Sequence, residues 1–269
     1  MLSNLNRSSM NTISNNTLNI LKQNFVNFKQ EEPIQTNQMN NSESFLEIRS
    51  NMTSWLNFLC QKLNFNPKTL FRSITIFDLY LTKLIKKNEK LSQNKLNLIT
   101  IACLSLSTKM EEINCNYISF LNEKVLNNPK EQIYTNKDLT KMEFQILKEL
   151  NYKILYSTPI DFLEIYIEIF KNIMGNSNEK FFDNIKNLSI NIMISNINNE
   201  MFVNNSYSSF AYFSFIQVLN HLNILVPLIA LEMEKIIFAF NCQSINGNKN
   251  EDEEMKNQLI SDIVAFSSL

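Results

Sequence analysis

The chain has 269 residues, of which 44% are apolar and 19% charged, with a net charge of −1. Such a length supports a substantial core in one large or two medium domains, and so balanced a charge argues against nucleic acid as a partner, because phosphate-backbone binding needs a dense excess of Lys and Arg. Two glycines and five prolines leave little turn chemistry for a sheet of short strands, so an all-α fold is expected.

Residues 1–42 are rich in Asn, Ser, Thr and Gln and are expected to form a disordered tail, because they bury too little to offset chain entropy; a short helix around Leu18–Phe28 is the one exception. The abundant asparagine, as in Asn127–Asn128 and Asn246–Asn250, reads as compositional bias without chemistry.

From residue 43 the helix starts are legible. Asn66-Pro67 reads as an N-cap followed by proline at the first helical position, while Thr135 with Asp138, and Thr158-Pro159 with Asp161, read as capping boxes. These bracket helices near 45–64, 67–86, 94–112, 117–125 and 136–150. The third is apolar nearly all round, from Leu98 to Leu106, and is expected to be central. After Pro159 a second set follows at 159–173, 179–199, 205–222, 227–242 and 251–266. Its segment 205–219 places small and aromatic residues where the first set has its central helix, the pattern of a diverged repeat.

Cys60, Cys103, Cys115 and Cys242 show no C-x-x-C spacing, and His221 is the single histidine, so no zinc site and no cofactor is expected. The cysteines read as reduced core thiols of an intracellular protein. No convergent acid, base or metal set suggests an enzyme. With no signal-peptide pattern and no uncharged apolar run long enough to span a bilayer, a soluble chain without a membrane partner is expected.

Four charged residues break this pattern. Lys109 falls between Leu98 and Ala102 on its helical stripe, and Glu143 falls among Leu139, Ile146 and Leu150. Both charges are expected to point where water is scarce, so they either pair with each other or face something the monomer does not supply. Arg49 lies within the apolar arc of Phe45, Ile48, Met52, Trp55, Leu56, Leu59 and Leu63, and Asp78 lies at the edge of the next helix's stripe. Four consecutive long helices thus carry Arg, Asp, Lys and Glu on packing faces.

The ordered strings Ile-Arg-Ser-Asn-Met-Thr-Ser-Trp-Leu (48–56), Ile-Phe-Asp-Leu-Tyr-Leu (76–81), Leu-Ser-Thr-Lys-Met-Glu-Glu (106–112) and Met-Glu-Phe-Gln-Ile-Leu-Lys-Glu-Leu-Asn-Tyr (142–152), followed by Thr-Pro-Ile-Asp-Phe-Leu (158–163), together resemble the cyclin box. The resemblance runs from about Phe45 to Phe162. It implies two tandem five-helix bundles behind the tail: an N-terminal box at 43–157 and a C-terminal cyclin-like domain at 158–269. It also implies a regulatory subunit, not an enzyme, that binds and activates a cyclin-dependent kinase in the nucleus or cytoplasm by placing the kinase's C helix and activation loop. The strings lean towards the cell-cycle type; a transcriptional-type cyclin or a cyclin-fold scaffold is the alternative.

By the same resemblance Lys109 and Glu143 contact the kinase, with Leu106, Glu112, Phe144 and Ile146 beside them, and Arg49 with Asp78 form a structural ion pair. A groove that docks substrates or inhibitors bearing an Arg-x-Leu motif maps onto Ile48, Met52, Trp55, Leu96 and Asn97. Here Asn51 stands where an aliphatic residue is expected and Phe58 where an acidic one is. The other reading of Met52 and Trp55 is that they fill the core. Arg7 to Asn15 has the spacing of the destruction motif of mitotic cyclins, with Met10 in the leucine position.

Overall fold

The computed structural model describes residues 14–33, 43–113, 134–175, 178–199, 202–203, 205–224, 233–237 and 239–240. Among them there is no strand, and the chain is all-α. The helices are α1 (Asn15–Glu31), α2 (Glu43–Leu63), α3 (Pro67–Lys86), α4 (Gln93–Glu111), α5 (Asn136–Glu149), α6 (Pro159–Met174), α7 (Glu179–Ser195) and α8 (Tyr207–His221). The anticipated helices at 117–125 and 251–266 lie outside the described residues, as do Cys115, Cys242 and most of the Arg7–Asn15 match; that at 227–242 is described only at 233–237 and 239–240, which are helical.

Local chemistry starts the helices where the caps predict. Asn66 accepts from the Lys68 amide at 2.9 Å with Pro67 at the first helical position. In the Thr135 box, the Asp138 carboxylate accepts from the Thr135 amide at 2.9 Å and from its hydroxyl at 2.6 Å. Asp161 repeats this for Thr158 at 2.7 and 2.8 Å. Each cap satisfies amides that the first helical turn leaves without partners.

Asparagine also stops them. Asn64, Asn88, Asn151 and Asn223 all have φ between 52° and 54°, and each follows the end of a helix. In every case the next amide reaches back five residues: Phe65 to the Cys60 carbonyl at 3.0 Å, Glu89 to Leu84 at 3.1 Å, Tyr152 to Leu147 at 2.7 Å and Ile224 to Leu219 at 2.9 Å. This is the Schellman closure, usually built on glycine. Here Gly175 serves only α6. The reading of asparagine as mere bias is therefore corrected at these four positions: it supplies the left-handed residue that a glycine-poor chain needs, because its short side chain tolerates that region.

In the first set α4 is central, packed against α3, α5 and α2, and its residues from Ile99 through Thr108 are all buried. In the second, α8 packs on both α6 and α7. The expectation that residues 1–42 lack a packing face is corrected for α1, which is longer than the anticipated Leu18–Phe28 segment. Phe25 is completely buried, with its ring 5.6 Å from Phe162, 6.4 Å from Tyr166 and 5.7 Å from Phe240. Ser157 donates to the carbonyls of Phe28 and Glu31, through its hydroxyl and amide respectively, and the Glu32 carboxylate accepts from the Tyr207 amide at the start of α8. The apolar residues of α1 are few, but Leu21, Phe25 and Phe28 recur at helical spacing and share one face, which composition averages away.

Candidate functional site

Lys109 stands in the last turn of α4 and Glu143 in the middle of α5, helices that pack side by side. The Lys109 ammonium lies 2.6 Å from Glu143 Oε1 and 2.7 Å from Oε2. Of the two alternatives left by the sequence, the pair is made within the chain. The environments differ, however: the Lys109 side chain is 42% exposed and that of Glu143 only 9%. The expectation that both charges avoid water is corrected for Lys109, whose four-carbon stem covers apolar surface while its head reaches the rim.

The neighbours divide sharply. Phe144 is 56% exposed, and Tyr152 and Leu155, in the segment that leaves α5, are exposed as well. Ile146 is wholly inaccessible and Leu106 buried, so both support the α4–α5 packing instead of offering a contact surface. The apolar stripe that signals a helix face does not distinguish its floor from its rim. Glu112 is turned inward, accepting from the Asn66 amide at 2.8 Å and the Thr69 hydroxyl at 2.5 Å, and so anchors the start of α3 to the end of α4. Leu155 carried no sequence signal, because it lies between α5 and α6, where helical periodicity stops.

Below this rim, charged groups tie the two helical sets together. Arg49 Nε donates to Asp78 Oδ2 at 3.0 Å, Nη1 donates to the Ile197 carbonyl at 2.7 Å, and the guanidinium lies 5.1 Å from the centre of the Phe202 ring. Burial pushes the Asp78 carboxyl above the ordinary aspartate range, against the pull of Arg49. Two further ties were not singled out in the sequence. Arg72 donates to Glu111 Oε1 at 2.5 Å and to the Tyr156 carbonyl at 2.7 Å, and Lys68 lies 2.5 Å from Asp161. Both cations sit within the dense apolar run of α3, whose pattern masks them.

At the docking-groove positions, Met52 and Leu96 are buried in the core, whereas Ile48 and Trp55 are half-buried against it. Asn97 accepts from Gln93 Nε2 at 2.9 Å. Phe58 is exposed, with the Lys62 ammonium 5.8 Å from its ring centre. Cys60 and Cys103 are free and buried; burial, aided by nearby Glu112, pushes the Cys60 thiol up to about 12, so it stays protonated and unreactive. Among the described residues no cluster of His, Cys, Asp and Glu could hold a metal ion, and no helix is long and apolar enough to cross a membrane.

Residues 20–155 match the family described as "Cyclin, N-terminal domain", half of the chain. The chain belongs to the cyclin family. Its similarities include a G2/mitotic-specific cyclin-3 from Saccharomyces cerevisiae, 33% identical over 116 residues that make up 43% of this chain and 25% of that protein. A G1/S-specific cyclin-E1 from Danio rerio is 26% identical over 126 residues, 46% of this cyclin and 28% of its relative. The matched segment thus spans about a quarter of each relative's length. A viral cyclin from herpesvirus saimiri shares the fold, with a TM-score of 0.58 and 15% identity over 85% of this chain and 98% of that one.

Proposed function

We propose that this cyclin binds and activates a cyclin-dependent protein kinase in cell-cycle control, acting in the nucleus or cytoplasm. The observation that carries the reading is the Lys109–Glu143 pair: an ion pair at the rim, its ammonium open to water and its carboxylate rooted in the fold, beside exposed Phe144. Both are placed to exchange their mutual contact for hydrogen bonds to the backbone of an incoming helix, and hydrogen bonds to charged groups are worth about 1.5–3 kcal/mol.

A kinase requires its C helix inward, so that the helix's Glu pairs with the Lys that holds the ATP phosphates. A rigid surface that binds the inward position better than the outward one shifts the equilibrium by that difference in affinity. The Arg49 and Arg72 ties supply the rigidity. The names of the matched relatives, G2/mitotic-specific and G1/S-specific, favour a cell-cycle role over a transcriptional one.

The test is co-purification from dividing cells with the parent chain, Lys109→Ala and Glu143→Ala as baits. A protein kinase recovered with the parent and lost with either variant is the expected result. A kinase retained equally by all three would remove these residues from the contact.

A further inference from the structure

One corner of the bundle, where the C-termini of α3 and α5 meet, carries more positive charge than its packing consumes. Lys83 Nζ donates to the Glu149 carbonyl and closes the last turn of α5, while Lys87 Nζ lies 2.6 Å from Glu149 Oε1. That hydrogen bond, followed by the fields of Lys87, Lys83 and Lys148, holds the Glu149 carboxyl below the ordinary glutamate range. Lys95 pairs with Glu89.

Lys86, Lys90 and Lys148 are exposed and form no ion pair among the described residues. Six lysines (83, 86, 87, 90, 95 and 148) thus face two glutamates (89 and 149), an excess of four positive charges in a chain of net charge −1. Complementing two helix dipoles asks for about one cation at each end. Among the described residues the surplus has no internal partner.

We propose that this corner docks an acidic peptide segment of a partner protein. Charge complementarity is the ground: three exposed lysines, with no ion pair among the described residues, suit a short acidic segment. A nucleic acid would need a longer basic track, and the rest of the chain, negative on balance, repels an extended polyanion. The corner lies about 9 Å along α5 from Glu143, so an acidic segment held there is presented beside the proposed kinase face without competing for it. Docking itself does not depend on the kinase reading, and its test contains no kinase.

The full chain is titrated into a fluorescein-labelled oligoglutamate peptide, with oligoglutamine as control, and anisotropy is read. The test variant carries Lys86→Gln, Lys90→Gln and Lys148→Gln, leaving Lys83, Lys87 and Lys95 on their internal partners. The expected result is binding of oligoglutamate alone, weakened about tenfold or more in the variant and by raised salt, with an unchanged thermal melt. Equal affinity of parent and variant, or no binding by the parent, would overturn the proposal. Tighter capture by phosphatidylserine vesicles or single-stranded RNA than by the peptide would overturn it as well.

Discussion

Arg49, in the first helix of the box, donates to the carbonyl of Ile197, 148 residues further along the chain. Its Nε holds Asp78 on α3 and its plane faces Phe202, so one guanidinium joins α2, α3 and the segment after α7. Thr53 and Ser54 reinforce the seam: both hydroxyls bond to the Asn198 side chain. A planar fork with five donors can serve three directions at once. Lysine cannot.

Removing that fork should be costly. Arg49 is 2% exposed and Asp78 23%, so Arg49→Ala, which strands a half-buried carboxylate and an unpaired carbonyl, is expected to lose about 3–5 kcal/mol. Arg49→Lys should recover only part of it. Asp78→Ala leaves a more deeply buried charge but one that keeps the Ile197 carbonyl, and it should fall at the lower end of the same range. Denaturant melts read both; curves that overlay the parent would show the seam to be energetically silent.

The helix before the box makes a second prediction. Phe25→Ala removes a fully buried ring from contact with Phe162, Tyr166 and Phe240, at an expected cost of about 3–5 kcal/mol. Deleting residues 1–13 should leave the melting temperature unchanged, and deleting 1–33 should lower it markedly. Equal melting of the two truncations would mean that α1 adds nothing to the fold.

What the sequence disclosed and what it hid have separate physical causes. Caps depend on a few adjacent residues, so Asn66-Pro67, Thr135/Asp138 and Thr158/Asp161 were legible. So was the central place of α4, whose residues are apolar all round. Periodicity located Lys109, Glu143, Arg49 and Asp78 as anomalies, since a charge on an apolar stripe stands out. It could not say that Ile146 is floor and Phe144 rim, because that depends on what packs above each. Nor could it find Arg72, Lys68 or the Arg49–Ile197 bond. Those partners are brought together by the fold across long stretches of chain, and nothing local marks them.

Asparagine at the helix ends is open to a direct measurement. Asn88→Gly and Asn223→Gly should be neutral or slightly stabilising, since glycine takes φ near 52–54° without a Cβ penalty. The corresponding alanine variants should each lose about 1 kcal/mol, because alanine keeps the Cβ contact with the following carbonyl oxygen but lacks the short polar side chain that offsets it in asparagine. Tyr152, with φ of 59° directly after Asn151, already tolerates such a strain in this chain. If the alanine and glycine variants melt together, the left-handed closures do not limit stability.

The last prediction concerns the mechanism of activation. If the Lys109–Glu143 rim selects the inward C helix, the isolated chain has no catalytic activity, and adding it to the kinase recovered in co-purification raises phosphate transfer chiefly through kcat rather than through ATP affinity. Helix placement completes an ion pair and a metal geometry that matter most as charge shifts in the transition state. The two rim variants should also differ in stability. Lys109→Ala strands a carboxylate that is 9% exposed, whereas Glu143→Ala frees an ammonium already 42% exposed, so the lysine variant should lose about 1–3 kcal/mol and the glutamate variant about 1 kcal/mol or less. Activation should fall in both regardless. Loss of activation that tracks the stability order, large in Lys109→Ala and negligible in Glu143→Ala, would reduce the pair to a structural role; a stable complex whose kinase stays inactive after activation-loop phosphorylation would make the chain a scaffold.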